Sequence, residues 1–458
     1  MDISEESWKK LEKIVEDEML STEEIRGSLE VTEKGRIRQS IQNCKHVLDH
    51  DPCLKGAICR NEMTCQIDIK KKVPWKRRGV QMTDTDMNNL SLYLEKNYGL
   101  TSDRVIIKAV DIVANNNSFH PIIDFLEGLT WDGTPRISHM LTHFFGAEDQ
   151  KYTGEIMKMH MMAAISRLYE PGTKYDIMLC LVGGQGTGKS TFFKYLAIKD
   201  EWFTDDMKRL DDKKVYEYLQ GHWIVEMSEM NAVANAKSIE EIKSFLSRQK
   251  ETYKVPYETH PADRKRQCVF CGTSNTLDFL PLDRTGNRRF VLVMVHPELA
   301  EIHILDDEPA ARAYLIQVWA EAMEIYRSGN FKLRFSPAMN EYLKVHQRDF
   351  MPEDTKAGQI IEYLEKCSDN MVCSKQLFRE ALGHSFDEPK QWKIREINDI
   401  MNNSVTGWRA FSNPRYFRSP YGRQKGWERI QPNNGGGDFQ ELTPEEVEQL
   451  ELPPEWLK

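Results

Sequence analysis

The chain is 458 residues long, 40% apolar and 29% charged, with a formal net charge of −9. That length is too great for one compact core, so two or three domains are expected, and the composition is ordinary for a globular protein. The negative total argues at first against a nucleic-acid partner, but residues 1–30 and 431–458 each carry −6, leaving a mildly basic body of +3. Nine cysteines are scattered along the chain, an odd number that fits reduced, partly buried thiols. Cys268 and Cys271 form a C-x-x-C inside an apolar strand pattern with no second pair, and Cys44, Cys53, Cys59 and Cys65 match no common zinc spacing. The N-terminus is acidic and lacks an apolar signal segment, and no run reaches membrane-spanning length. A soluble intracellular protein without a membrane partner is expected.

In chain order, residues 1–34 read as an acidic, helix-prone arm. Residues 35–170 read as a mainly helical domain, with candidate helices at 36–49, 84–97, 102–115 and 155–169. Asn115-Asn116-Asn117 and Trp131-Asp132-Gly133-Thr134-Pro135-Arg136 are loop signals, the latter a structural turn with Arg136 capping or pairing. Residues 171–345 alternate short apolar strands (177–182, 223–227, 268–272, 290–295) with helices, which predicts a parallel α/β sheet covered on both faces. A helix over 308–328 follows, with Pro309 in its first turn. Residues 355–430 hold three short helical patterns and then an arginine- and aromatic-rich stretch that reads as strand-loop-strand, a winged-helix-like plan. Residues 431–458 read as a hinge and an acidic disordered tail, suited either to mimicking nucleic acid or to docking a partner protein.

The most informative stretch is DIMLCLVGGQGTGKSTFFKYL from 176 to 196. An apolar strand runs into G-x-x-x-x-G-K-[ST] from Gly183 to Ser190, which opens a helix, and this is the context a P-loop requires. Gly183, Gly184, Gln185, Gly186, Thr187 and Gly188 would turn backbone N–H groups toward a phosphate, aided by the helix N-terminus at Lys189, Ser190 and Thr191. Lys189 would reach the outer phosphates of ATP, and Ser190 would ligate Mg²⁺.

Three later features narrow the reading. The strand at 223–227 carries Glu226 and is followed by Glu229, carboxylates suited to the metal and to orienting or deprotonating a water. Which acid has which role stays open. The strand at 268–272 leads to Asn275, whose amide suits sensing of a terminal phosphate. Arg288 and Arg289 follow a turn; Arg288 is the candidate arginine finger acting across a subunit boundary, and Arg289 a sensor or salt-bridge residue. Between the acids and Asn275, Lys254, Tyr257, His260, Arg264, Lys265 and Arg266 interleave charge and aromatics on a probable hairpin suited to a nucleic-acid backbone. Further basic stretches at 70–78 and 407–430 are candidate DNA contacts, weighed against a solvated loop and a protein-docking surface.

Pro74-Trp75, the run from His120 to Leu126, the Trp131–Arg136 motif, Pro171-Gly172, the glycine-rich loop, the Glu226 strand, Gly272-Thr273-Ser274-Asn275 and the turn before Phe290 together resemble the virulence-associated protein E (VapE-like) family, related to superfamily-three AAA+ helicases. The resemblance implies an AAA+ ATPase using ATP and Mg²⁺, encoded by a phage or mobile element and working in the bacterial cytoplasm. It further implies a ring, most naturally a homohexamer, acting as a helicase or translocase on single-stranded or forked DNA in replication. Some relatives carry a fused primase; about 35 residues precede the family region here, and primase activity is not expected. An origin-binding initiator whose ATPase only switches assembly is the alternative, and an ATP-dependent regulator of host or competing phage functions a third. A replication protein would be the partner of the acidic tail.

Overall fold

The computed structural model describes residues 20–148, 150–207, 215–228, 236–253, 262–277, 280, 287–385 and 387–430. It divides into two units, one built from residues up to 281 together with 287–352, the other from residues beyond 352.

The first unit begins with α1 (Thr22–Ser28), α2 (Ile41–His50), the hairpin β1 (Ile58–Asn61) and β2 (Gln66–Ile69), α3 (Asp84–Tyr98) and α4 (Asp103–Asn116). Sequence signals set the ends of α3: Thr83 and Asp86 form a reciprocal capping box, and Gly99 closes the helix in the left-handed region. The hairpin interrupts a stretch that reads as helical. Asn61 Oδ1 accepts from the backbone N–H groups of Met63 and Thr64 and turns the chain after four residues, too short a run for strand periodicity to register. The basic stretch at 70–78 is partly internal. Trp75 Nε1 and Arg77 Nε both donate to Asp86 Oδ1, at 2.8 and 2.9 Å, and Lys71 Nζ donates to Lys55 O.

Next come α5 (Pro121–Glu127), α6 (Met140–Phe145) and α7 (Gln150–Tyr169), then β3 (Met178–Val182) and α8 (Lys189–Leu196). β4 (Phe203–Thr204), α9 (Val215–Leu219), β5 (Ile224–Met227) and α10 (Ala236–Leu246) follow. The antiparallel pair β6 (Lys250–Tyr253) and β7 (Ala262–Lys265) precedes β8 (Val269–Ser274), β9 (Phe290–Met294), α11 (Glu308–Ser328) and α12 (Pro337–His346). The main sheet has the order β4-β5-β8-β3-β9 with every pairing parallel. Every residue of β3, β5 and β8 is buried, which is why they read as near-continuous apolar runs rather than alternating ones, interrupted by Glu226 in β5 and by Thr273 and Ser274 at the end of β8.

One face of the sheet packs against α7, α8 and α11, and the other against Ile242 and Phe245 of α10 with Phe350. On the first face Trp223 and Trp319 stack at 4.2 Å, and Trp319 Nε1 donates to Leu196 O at 2.8 Å. Both indoles are fully buried. Trp319→Ala is therefore expected to lower unfolding free energy by about 3–5 kcal/mol, read as a fall in the urea midpoint.

The turn at 131–136 is a clasp onto α11. Asp132 pairs bidentately with Arg136 at 2.7 and 2.6 Å, and Glu321 Oε2 accepts from the N–H groups of Arg136 and Ile137. Among the described residues, no helix is long and apolar enough to cross a membrane.

The second unit comprises α13 (Thr355–Lys366), β10 (Met371–Cys373), α14 (Ser374–Gln376) continued by a wider turn over Leu377–Ala381, α15 (Gln391–Asn403), β11 (Trp408–Phe417) and β12 (Gly422–Arg429). Its antiparallel sheet has the order β10-β12-β11. A side chain at Gly426 would place Cβ 2.2 Å from Val372 O, so only glycine lets β12 lie against β10 there. Much of the arginine-rich stretch is engaged internally: Arg409 and Arg415 pair with Glu428, Arg418 with Glu380, and Arg429 donates to Leu364 O and Cys367 O. Tyr416 stands 77% exposed.

Candidate functional site

Parallel strands put all their C-terminal ends on one edge of the sheet, and loops leaving that edge converge. β3 leaves there into the loop 183–188, with α8 beginning at Lys189. Gly186 and Gly188 take φ of +79° and +81°. The ends of the loop are tightly backed. A Cβ on Gly183 would lie 2.3 Å from Val295 Cγ2, and one on Gly188 2.4 Å from Ile304 Cγ2. Gly184, Gln185 and Gly186 are exposed at the tip, and Thr187 Oγ1 donates to Gly184 O.

Lys189 is buried at 6% exposure, and its ammonium lies back over the loop. Nζ donates to Gly183 O at 2.8 Å, Gly184 O at 2.6 Å, Thr187 Oγ1 at 3.2 Å and Asn275 Oδ1 at 3.2 Å. Burial lowers its pKa, and the nearby Glu226 carboxylate opposes that shift. Glu226, on the fully buried β5, has Oε1 accepting from Ser190 Oγ at 2.7 Å and from Thr273 Oγ1 at 2.6 Å. Its other oxygen, Oε2, is buried without a hydrogen-bond partner among the described residues. Burial raises the Glu226 pKa, while the Thr273 and Ser190 hydrogen bonds act in the opposite sense.

An orphaned buried carboxylate oxygen beside a serine hydroxyl is a donor set that fits a hard divalent cation such as Mg²⁺. The glycine-rich cradle next to a buried ammonium fits an anion. Structure thus brings together Lys189, Ser190, Glu226 and Asn275, from three different strand ends. Thr273 joins them without having been assigned a role from sequence. Strand alternation was the available signal, since residues 273 and 275 share a face.

Arg288 and Arg289 are not part of that cluster. They precede β9, whose Phe290 pairs with Met178 at the start of β3, so they sit at the opposite edge of the sheet. Five residues of strand separate the two edges, roughly 16 Å. Arg289 Nε lies 3.2 Å from Asp176 Oδ2 and donates to Ser247 Oγ, whereas Arg288 is 76% exposed with Nη2 3.8 Å from the same carboxylate. A cavity of about 780 Å³ opens there, lined by Asp176, Arg288, Arg289, Lys332 and Arg334 among others.

Of the hairpin residues, Arg264 and Lys265 lie on β7. Arg266 is turned inward at 3% exposure, donating to Phe245 O at 2.7 Å and to Glu251 Oε1 at 3.0 Å, so it anchors the hairpin base rather than presenting charge to solvent. Glu229, Lys254, Tyr257 and His260 lie outside the described residues.

These features define an α/β protein with a polar cluster at the C-terminal edge of a parallel sheet. Residues 126–352 match the family model of the virulence-associated protein E-like domain, so the chain contains a domain of that family. Among solved structures it is similar to the apo structure of the NrS-1 C-terminal region (305–718), with 14% identity, a TM-score of 0.44, and coverage of 81% of this chain and 95% of that one. It is likewise similar to the A-form apo structure of the same region, with 14% identity, a TM-score of 0.45, and coverage of 81% and 96%. No curated protein matches the chain.

Glu226 gives a prediction in which stability and activity diverge. Its carboxyl pKa is raised on folding, so the ionised form penalises the folded state at pH above the folded value, and the penalty vanishes below the unfolded value of about 4.5. Glu226→Gln keeps an oxygen for Ser190 and Thr273 but carries no charge. It is expected to raise the melting temperature at pH 7–8, to leave it unchanged near pH 4, and to abolish any Mg²⁺-dependent turnover. Melting curves at both pH values check the sign.

Proposed function

We propose that this chain is an AAA+ ATPase that assembles into a ring, most naturally a hexamer, and moves DNA in the replication of a phage or mobile element within the bacterial cytoplasm. The observation that carries the reading is the Glu226–Ser190 contact beside the buried Lys189 ammonium, at the mouth of a P-loop-shaped turn. The position of β8 supports the AAA+ assignment, because it lies between the loop strand and the acid strand and delivers Asn275 to the gap.

On this reading Gly183, Gly184, Gln185, Gly186, Thr187, Gly188 and Thr191 line the phosphate cradle, and Lys189 exchanges its carbonyl partners for phosphate oxygens. Ser190 and Glu226 hold Mg²⁺, which supplies charge neutralisation at the reacting phosphate. Asn275 orients toward the terminal phosphate, and Glu226 or Glu229 positions the attacking water. Arg288 serves the nucleotide of a neighbouring copy: it is exposed and too far from its own loop, while Asp176 holds Arg289 beside it. The hairpin carrying Lys254, Tyr257, His260, Arg264 and Lys265 contacts DNA, with Arg266 as its buried anchor.

An ATP-dependent strand-displacement assay on forked DNA tests the motor. Stimulated ATP hydrolysis without unwinding would favour the second reading, an origin-binding initiator. That reading is supported by the helix-strand-helix-helix-strand-strand order of the second unit, which fits a winged helix. Removing residues 355–458 is expected to abolish sequence-selective duplex binding and to spare unwinding if the second unit is a reader attached to a motor.

A further inference from the structure

Away from the sheet edge, two imidazoles and a carboxylate meet at one point on the first unit. His139 directly precedes α6 and His143 lies four residues on, a spacing that brings both rings to one face. Glu301 comes from the segment after β9, and the backbone N–H groups of Glu301 and Ile302 both donate to His143 O, at 3.0 and 3.2 Å. His139 Nε2 lies 2.9 Å from Glu301 Oε1, and His143 Nδ1 lies 2.7 Å from Glu301 Oε2. The His143 ring is held in place by parallel stacking on Tyr314 at 4.7 Å and by the edge of Phe144.

We propose that His139, His143 and Glu301 form a binding site for a divalent transition metal of the zinc class. One ligand atom from each residue lies within 4.8 Å of the other two. Tetrahedral zinc with bonds of about 2.0–2.1 Å holds its ligand atoms roughly 3.3 Å apart. The N···O separations of 2.7 and 2.9 Å, each to a different carboxylate oxygen, open by about half an ångström to reach that spacing. The three ligand atoms, all within 4.8 Å of one another, are already gathered closely enough for small side-chain movements to complete it. An ordinary ion pair needs one imidazole per carboxylate; here each oxygen of one carboxylate faces a different ring. Two imidazole nitrogens select zinc, nickel, cobalt or copper over magnesium and calcium, which take oxygen ligands. Three protein ligands leave a fourth position, and side-chain exposure of 34% at His139 and 49% at Glu301 opens it to water.

The site has a mechanical setting. A Cβ on Gly146, at the end of α6, would lie 2.4 Å from His296 O, and Ile304 from the same segment backs Gly188 of the glycine-rich loop. A metal here staples α6 to the segment that braces that loop. The assignment stands on the donor geometry and is independent of the proposed ATPase function.

The test uses the full chain stripped of metal, titrated with Zn²⁺ by calorimetry and with Co²⁺ by absorption spectroscopy. One equivalent should bind and resist excess Mg²⁺. The Co²⁺ form should show visible ligand-field bands without the near-ultraviolet thiolate charge-transfer band that any of the nine cysteines would add. His143→Ala and the surface variant Glu301→Gln should each weaken Zn²⁺ binding about tenfold or more. Zn²⁺ should raise the melting temperature of the wild type but not of Glu301→Gln. Lys189→Ala should bind Zn²⁺ like the wild type. Absence of stoichiometric binding, a thiolate band, or binding that survives both substitutions would overturn the proposal.

Discussion

Lys189→Ala is expected to reduce ATP turnover by a factor on the order of 10²–10³ and to abolish strand displacement. The ammonium is the one cation among the described residues that reaches into the glycine-rich loop, and a low-dielectric position makes its charge count for more than it would in water. The loss would not reflect unfolding. Burial lowers the Lys189 pKa, so desolvation offsets part of what its hydrogen bonds contribute, and the truncated chain should still melt as a folded protein, which a melting curve checks. Steady-state hydrolysis, nucleotide binding and unwinding measured on one preparation separate the outcomes. Unwinding that persists in Lys189→Ala removes the motor reading.

Arg288→Ala is expected to lower turnover about 10³-fold while ATP binding is retained, the range for a trans-acting arginine. The exposure of Arg288 and its place at the far edge of the sheet make it useless to its own loop. A sharper result comes from mixing. An Arg288→Ala chain keeps a working loop, and a Lys189→Ala neighbour keeps a working arginine. In a random equimolar ring about one interface in four is then complete, so roughly a quarter of wild-type turnover should return from two inactive proteins. A mixture as inactive as its parts would place catalysis within single subunits.

Much of the site was legible because its signals are local. The loop announces itself through glycine spacing between an apolar strand and a helix, and Glu226 and Asn275 through their places at strand ends. Thr273 was harder, since its role depends on β8 lying between β3 and β5, a pairing that residue order alone does not settle. Arg266 shows the limit of reading charge: its sign was plain, but its direction depends on Glu251 and Phe245 O across the hairpin base. His143 and Glu301 lie 158 residues apart in sequence, and no local pattern links them. The hairpin of β1 and β2 escaped because an asparagine turn and four-residue strands leave too little periodicity to see. The parallel sheet itself was legible, because strands buried on both faces are apolar along most of their length, and the polar residues that break the pattern, Glu226 and Thr273, belong to the site.

One arrangement bears on how the site would respond to its ligand. Thr273 grips Glu226, and two residues later Asn275 grips Lys189, so one stretch of backbone holds the acid with one hand and the base with the other. β8 is hydrogen-bonded to β3 on one side and to β5 on the other. A ligand that draws the lysine away from its amide therefore acts on the same short stretch of backbone that holds the carboxylate.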